Sequence, residues 1–210
     1  MLSYNESLKI LKETDALLDG HFILSSGLHS DQYIQCARLL SFPDKAKIIC
    51  SSLSEKISKT FKNIDIVLSP ALGGIVVGYE TGRQLNIKTI FAERVNGVLT
   101  LRRGFDIQKK SDVIIIEDVI TTGKSALECA EIVKSNGANL IGYACIIDRS
   151  NNNFLDKKKI VSQVKLNIKT FKENELPEKL KRIPIVTPGS RNISKWLKGD
   201  SVLTLIMLPL

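Results

Sequence analysis

The chain predicts an α/β fold in which a central parallel sheet is flanked by helices within one domain. Three observations carry this. Val113, Ile114, Ile115 and Ile116 form an unbroken β-branched run, the pattern of a strand buried on both faces of a parallel sheet. Ala126, Cys129, Ala130 and Val133 then recur at helical spacing, and residues 140–147 form a second apolar run, so strand, helix and strand make a βαβ unit. The alternation also appears upstream, with strands expected at residues 64–68 and 88–92 and a helix at 75–85 between them. In such sheets ligands bind beyond the carboxyl ends of the strands.

From the N-terminus, Ser3 and Glu6 have the spacing of a capping box, and a helix is expected to about residue 18, stopped by Gly20. Residues 20–36 place two extended pieces about a Ser-Ser-Gly turn, which predicts a hairpin or a small accessory lobe. Pro43 suits a helix start, and Ala46, Ile49, Cys50, Leu53 and Ile57 give that helix one apolar face. Residues 69–74 form a loop in which Gly73 and Gly74 let backbone N–H groups approach a ligand closely. After residue 92, Asn96-Gly97 is a hairpin signal, and Arg94, Arg102 and Arg103 stand near the bases of its two arms. The expectation is a mobile flap carrying cations.

Glu117 and Asp118 end the β-branched run, and residues 121–125 (Thr-Thr-Gly-Lys-Ser) form a polar loop opening into the next helix. Free N–H groups at a helix N-terminus, with the positive end of the helix dipole behind them, make an anion site. Two carboxylates do not share a phosphate; they suit sugar hydroxyls, or a hard cation that bridges to phosphate oxygens. Together these ask for a phosphorylated sugar with free hydroxyls, accompanied by Mg²⁺. The trio Gly123-Lys124-Ser125 looks like the end of a Walker A loop, but Asp118 stands where that motif requires its first glycine. A carboxylate there repels phosphates, which excludes a P-loop NTPase.

Asn136-Gly137 closes the helix with residues that tolerate left-handed backbone. Asp148-Arg149 follows residues 140–147 on the ligand side of the sheet, where an arginine can fork onto a carboxylate. Residues 151–159 read as a polar loop, and Val164, Leu166 and Ile168 alternate with polar residues as a half-exposed strand. A short helix is expected at 177–182.

Composition narrows the class. At 210 residues, 43% hydrophobic and 25% charged, the chain is long enough for one sizeable core. It lacks an apolar run of about 18 residues, and its first residues have no signal-peptide pattern, so a cytoplasmic protein is expected. Cys36, Cys50, Cys129 and Cys145 read as reduced core thiols, and His21 and His29 as too few and too badly spaced for a metal cluster. The net charge of +8 comes from dispersed lysines with only 6% aromatics. That reads as a solvated basic face suited to a polyanionic small substrate, not as a nucleic-acid interface.

Residues 113–125 resemble the phosphoribosyl pyrophosphate motif of type I phosphoribosyltransferases: an apolar strand, two acids, then a Thr/Gly loop. Residues 20–36 resemble the N-terminal segment of the orotate-specific members, and residues 183–191 their closing segment. The resemblance spans roughly residues 4–193. It implies the type I phosphoribosyltransferase fold, residues 1–210 as one domain, with a small hood built from about 1–40 and 183–210. It implies Mg²⁺-dependent transfer of the 5-phosphoribosyl group to orotate, giving orotidine 5′-monophosphate and pyrophosphate in pyrimidine biosynthesis.

Carried onto this chain, the family pattern makes Asp118, Glu117 and Arg94 the catalytic residues. Glu117 and Asp118 would hold the ribose hydroxyls, and Val119, Ile120, Thr121, Thr122, Gly123, Lys124 and Ser125 the 5′-phosphate. Leu72, Gly73, Arg94, Arg102 and Arg103 would meet the diphosphate, and Thr121, Arg149 and Ser25 the orotate. Mg²⁺ would ride on the substrate near Glu117 and Asp118, without a dedicated set of protein ligands. The resemblance further implies a homodimer with shared active sites, in which the flap closes over the neighbouring subunit's diphosphate, and no nucleic-acid or membrane partner. A purine phosphoribosyltransferase is the alternative enzyme. The alternative from another class is a regulator that senses phosphoribosyl pyrophosphate and binds nucleic acid. This chain departs from many members at Ser25, where they carry lysine, and at Leu72-Gly73, where they carry Tyr-Lys. In the flap, arginines replace their lysines and histidine.

Overall fold

The computed structural model describes residues 1–24, 26–150 and 154–188. The expected orotate contact at Ser25, and the part of the expected hood after residue 188, lie outside these residues.

Helix α1 (Tyr4–Glu13) starts on the expected capping box, Ser3 accepting from the Glu6 N–H while the Glu6 carboxylate accepts from the Ser3 N–H at 2.7 Å. It stops five residues sooner than the expected end near Leu18. The Thr14 hydroxyl bonds back to the Ile10 carbonyl at 2.9 Å, Asp15 turns left-handed (φ +52°), and Ala16 N–H closes onto Leu11 O at 2.8 Å. The chain leaves that reversal as strand β1 (Leu17–Ile23), then forms β2 (His29–Ile34) and the short helix α2 (Cys36–Leu40). Helix α3 (Pro43–Thr60) follows with Pro at its start and the expected apolar face buried.

The open α/β sheet then builds through β3 (Ile66–Pro70), α4 (Gly73–Leu85), β4 (Lys88–Val95), β5 (Val98–Leu101), β6 (Asp112–Ile120), α5 (Lys124–Ser135), β7 (Asn139–Asp148), β8 (Phe154–Leu155) and β9 (Lys158–Lys165). Residues 151–159 are therefore not the uniform polar loop expected. Asp156 and Lys157 both take positive φ and make a tight turn between β8 and β9. Lysines 158 and 159 belong to the strand, which ends at Lys165 and does not run on to Ile168. The chain closes with β10 (Thr170–Phe171), a 3₁₀ turn at Glu173–Glu175, α6 (Glu178–Lys181) and β11 (Ile185–Val186).

Two compact units result. The larger holds Met1–Asp19 and Gln32–Lys169, and the smaller Gly20–Asp31 with the chain from Thr170 onward. In the larger, the strand order is β5-β4-β3-β6-β7-β9-β8, with β4, β3, β6, β7 and β9 parallel. The antiparallel strands β5 and β8 form the two edges. Strand β6 lies at the middle, and its uninterrupted apolar run is explained by cover on both faces. Ile114 and Ile116 pack with Leu53, Ile57 and Val77 from α3 and α4, while Val113 and Ile115 pack with Ala126, Cys129 and Val133 from α5. All four β6 side chains are fully buried, each worth about 1.5–3 kcal/mol of transfer free energy. That rigid strand carries the acids at its end.

In the smaller unit β1 pairs parallel with β11, and β2 antiparallel with β10. His21 and His29, badly spaced in sequence, meet there, with Nε2 and Nδ1 2.6 Å apart. His21 Nδ1 lies 3.2 Å from the Ile183 carbonyl, which only accepts, so that nitrogen carries the proton.

Candidate active site

The carboxyl ends of β3, β6 and β7 supply the site. Glu117 and Asp118 sit inside the end of β6 rather than after it. Taking two carboxyls out of water disfavours their charged forms. Burial, and then the neighbouring Asp118, push the Glu117 carboxyl up to about 7. Burial also raises Asp118, opposed by the Val119 N–H that donates to its Oδ1 at 2.9 Å. Glu117 Oε1 is buried with no hydrogen-bond partner among the described residues. A proton or a sugar hydroxyl would satisfy it.

Opposite Asp118 runs the turn between β3 and α4. It is tighter than the expected loop at 69–74, because β3 runs to Pro70 and α4 starts at Gly73, leaving only Ala71 and Leu72 between them. Their peptide bond is cis, and Leu72 is exposed. Gly73 is required by closeness: a methyl group there would stand 2.9 Å from Asp118 Oδ2. The backbone of this turn therefore reaches the same space as the acid.

Beyond β6 the chain turns into α5. Gly123, at φ +74°, is the residue before the helix, a conformation that an L side chain adopts only with strain. The first-turn N–H groups have no partners within the helix and point at the space before it, alongside the positive end of the dipole. Thr122 Oγ1 accepts from Lys124 N–H at 3.4 Å. Thr121, Thr122 and Lys124 are exposed and Ser125 half-buried, while the Ile120 side chain is in the core and has only its backbone to offer a ligand. Next to it, Arg149 N–H donates to Ile120 O at 2.8 Å, which ties the end of β7 to the end of β6. The Arg149 guanidinium is half-buried, burial pulls its pKa down, and its Nε has no partner among the described residues.

The expected flap is the β4–β5 hairpin, turned at Asn96 (φ +49°) and Gly97 (φ +85°). Its arginines are all engaged with acids that the sequence did not single out. Arg94 Nη1 lies 2.7 Å from Glu128 Oε2 on α5. Arg103 and Arg102 reach Glu93 at 3.1 and 3.8 Å, and Arg103 also covers the Phe91 ring. Glu128 carried no signal because it lies off the apolar stripe of α5, where an acid reads as solvated surface. The structure thus brings Glu117, Asp118, Gly73 and residues 121–125 together, and sets Arg149 beside them. Arg102 and Arg103 stay on the hairpin with Glu93.

The raised Glu117 pKa gives a pH-dependent expectation. A carboxyl whose folded pKa exceeds its unfolded value adds stability at low pH that is lost as pH rises through the folded pKa. For Glu117 that window runs from about 4.5 to about 7. Glu117→Gln removes the cost of a buried charge, on the order of 3 kcal/mol once both states are ionised. The variant should gain more in melting temperature at pH 8 than at pH 4.5, as thermal melts across that range would register. An equal shift at both pH values would show that Glu117 is not held protonated.

A parallel sheet whose middle strand ends in paired acids, followed by a phosphate-ready helix start, is the arrangement of an enzyme acting on a phosphorylated ribose. The chain matches the Phosphoribosyl transferase domain over residues 42–182 and belongs to that family. Within it, the chain sits with the orotate phosphoribosyltransferases. It is 45% identical to the orotate phosphoribosyltransferase of Caldicellulosiruptor saccharolyticus over 186 residues, 89% of this chain and 96% of the relative. The crystal structure of orotate phosphoribosyltransferase from Aeropyrum pernix superposes with a TM-score of 0.66 at 25% identity, covering 75% of this chain and 92% of that one. Adenine phosphoribosyltransferase from Thermoanaerobacter pseudethanolicus shares the fold, with a TM-score of 0.54 at 15% identity over 64% of this chain and 88% of that one. No helix among the described residues is long and apolar enough to cross a membrane.

Proposed function

We propose that this protein transfers the 5-phosphoribosyl group from phosphoribosyl pyrophosphate to a ring nitrogen of orotate, releasing pyrophosphate and forming orotidine 5′-monophosphate. The observation that carries the reading is the convergence of three features in one place: buried Glu117 with half-buried Asp118 beside it, the Gly73 backbone against Asp118, and the open N–H groups at the start of α5. The α5 start binds the 5′-phosphate. Glu117 and Asp118 take the ribose hydroxyls, and Asp118 faces the positive charge that grows at C1 as the C1–O bond breaks. The backbone at Leu72 and Gly73 receives the departing diphosphate, with Arg94 supplying positive charge from the flap. Arg149 forks onto the orotate carboxylate and turns the nucleophilic nitrogen toward C1.

The residues fit Mg²⁺ delivered by the substrate. Buried Glu117, with its unpartnered oxygen, and half-buried Asp118 stand side by side, while no group of three or more His, Cys, Asp or Glu side chains among the described residues forms a metal cage. Glu117 and Asp118 would hold the ion through the substrate's hydroxyls and phosphate oxygens. When bound it neutralises charge on the leaving group.

A cytoplasmic homodimer is the assembly this reading carries. The Arg94–Glu128 ion pair is made within one chain and supports Arg94 serving its own site. Arg102 and Arg103, exposed on the returning arm, are the flap cations for a neighbouring site.

Incubation with phosphoribosyl pyrophosphate, Mg²⁺ and a panel of bases tests the reading. Orotate is consumed, adenine and hypoxanthine are not, and excess chelator stops turnover. Consumption of a purine in place of orotate would overturn the specificity, and full activity in chelator the metal role.

A further inference from the structure

Glu128 stands where a phosphate-binding helix should not want an acid. It lies beyond the first turn of α5, so it gains little from the helix dipole, yet it adds negative charge behind an anion site. Its ion pair with Arg94 is partly exposed, at 39% and 29% of the two side chains, and such pairs contribute only about 0–1 kcal/mol to stability. Folding therefore does not account for it.

The geometry accounts for it. Arg94 Nη1 donates to the Gly97 carbonyl at 2.6 Å and lies 2.7 Å from Glu128 Oε2, a close ion pair without hydrogen-bond geometry. Among the described residues Nε and Nη2 donate to nothing. Those two N–H groups form one edge of the guanidinium fork, the edge that matches two oxygens of a phosphate. Both contacts fall on the remaining nitrogen, one a hydrogen bond and one the pull of a counter-charge, and neither occupies the binding edge. The location agrees. Ala71 N–H, in the turn that leads to Gly73, donates to Ala92 O at 2.7 Å, which ties that turn to β4 two residues before Arg94.

We propose that Glu128 is a positioning residue for phosphoribosyl transfer: it holds the flap arginine Arg94 against α5 with the Nε–Nη2 edge turned free for the diphosphate. The proposal rests on the phosphoribosyl-transfer reading. The sequence hides it because Glu128 touches no substrate and has the spacing of a surface residue.

The test is a double-mutant cycle on the full-length protein with Glu128→Gln, Arg94→Ala and the pair, assayed with phosphoribosyl pyrophosphate, Mg²⁺ and orotate. Glu128→Gln keeps the shape and removes the charge. It should raise the KM for phosphoribosyl pyrophosphate by about tenfold, as expected for a weakened charge-assisted contact. The KM for orotate should stay within about twofold and the melting temperature within about 2 °C. Added to Arg94→Ala, the Glu128→Gln change should cost nothing further, because its only route to substrate is gone. Glu128→Asp should recover part of the loss.

A full additional loss in the double variant, equal changes in both KM values, or a lower KM for phosphoribosyl pyrophosphate in Glu128→Gln would each overturn the positioning role. The wild-type protein separates this from failure of the functional reading. If it turns over no orotate, that reading falls. The cycle is then run on calorimetric binding of phosphoribosyl pyrophosphate with Mg²⁺, where additive losses overturn the Glu128 role and coupled losses support it.

Discussion

Asp118→Asn lowers kcat by about 10- to 1000-fold in a protein that still folds, the range expected when a group that stabilises a developing charge is neutralised. The substitution preserves shape, and its amide can turn its oxygen to the Val119 N–H, which now donates to Oδ1 at 2.9 Å. What disappears is negative charge close to the ribose carbon that becomes positive as the diphosphate leaves. Burial strengthens that effect, because few water dipoles screen the carboxylate. A second readout follows from the coupling of the two acids. Asp118 helps to hold Glu117 up near 7, so Asp118→Asn should let the Glu117 pKa fall and move the acid limb of the remaining activity to lower pH. Initial rates of orotate loss across pH, with circular dichroism to verify folding, measure both. Unchanged kcat in the folded variant would take Asp118 out of the site.

The centre of this fold was legible because its physical constraints are local. Val113 to Ile116 are buried on both faces, and only a strand in the middle of a parallel sheet needs four such residues in a row. The acids and the Thr/Gly loop follow without a gap, so one stretch of chain carries both the scaffold and its chemistry. The Asn96-Gly97 turn was legible for the same reason, since few other dipeptides accept two successive positive φ values.

What the sequence hid depends on contacts between distant segments or on unmarked local reversals. Helix α1 ends at Glu13 because Thr14 and Asp15 reverse the chain, although no glycine or proline stands there. The turn at Asp156 and Lys157 lies inside a run of lysines that reads as solvated loop, and no local pattern shows that Leu155 and Lys158 face each other across it. The closeness of Gly73 to Asp118 requires β3 and β6 to be neighbours, which is a matter of strand order and not of local pattern. Glu128 acquires meaning only once the hairpin lies beside α5, and Glu93 only once the returning arm brings Arg102 and Arg103 back to β4, since each acid is then the counter-ion of a flap arginine.

Arg149→Ala raises the KM for orotate by roughly 30- to 1000-fold, the equivalent of about 2–4 kcal/mol for loss of a buried charge-assisted contact. The KM for phosphoribosyl pyrophosphate should change by less than about threefold, because Arg149 follows β7 while the phosphate and ribose groups are gathered by β6 and α5. The state of the side chain supports this split. It is half-buried, burial has pulled its pKa down, and its Nε is buried without a partner among the described residues. A donor left in that condition costs about 1–3 kcal/mol until a ligand satisfies it. Removing it should therefore leave the melting temperature unchanged or higher while orotate binding collapses, the opposite of what loss of a structural arginine does. Arg149→Lys should recover little, since an ammonium is a point charge and does not present the planar pair of N–H groups that a carboxylate accepts. Steady-state kinetics with each substrate varied in turn, and thermal melts with and without orotate, separate the outcomes. Equal rises in both KM values together with a lower melting temperature would show that Arg149 holds the end of β7 in place and does not bind the base.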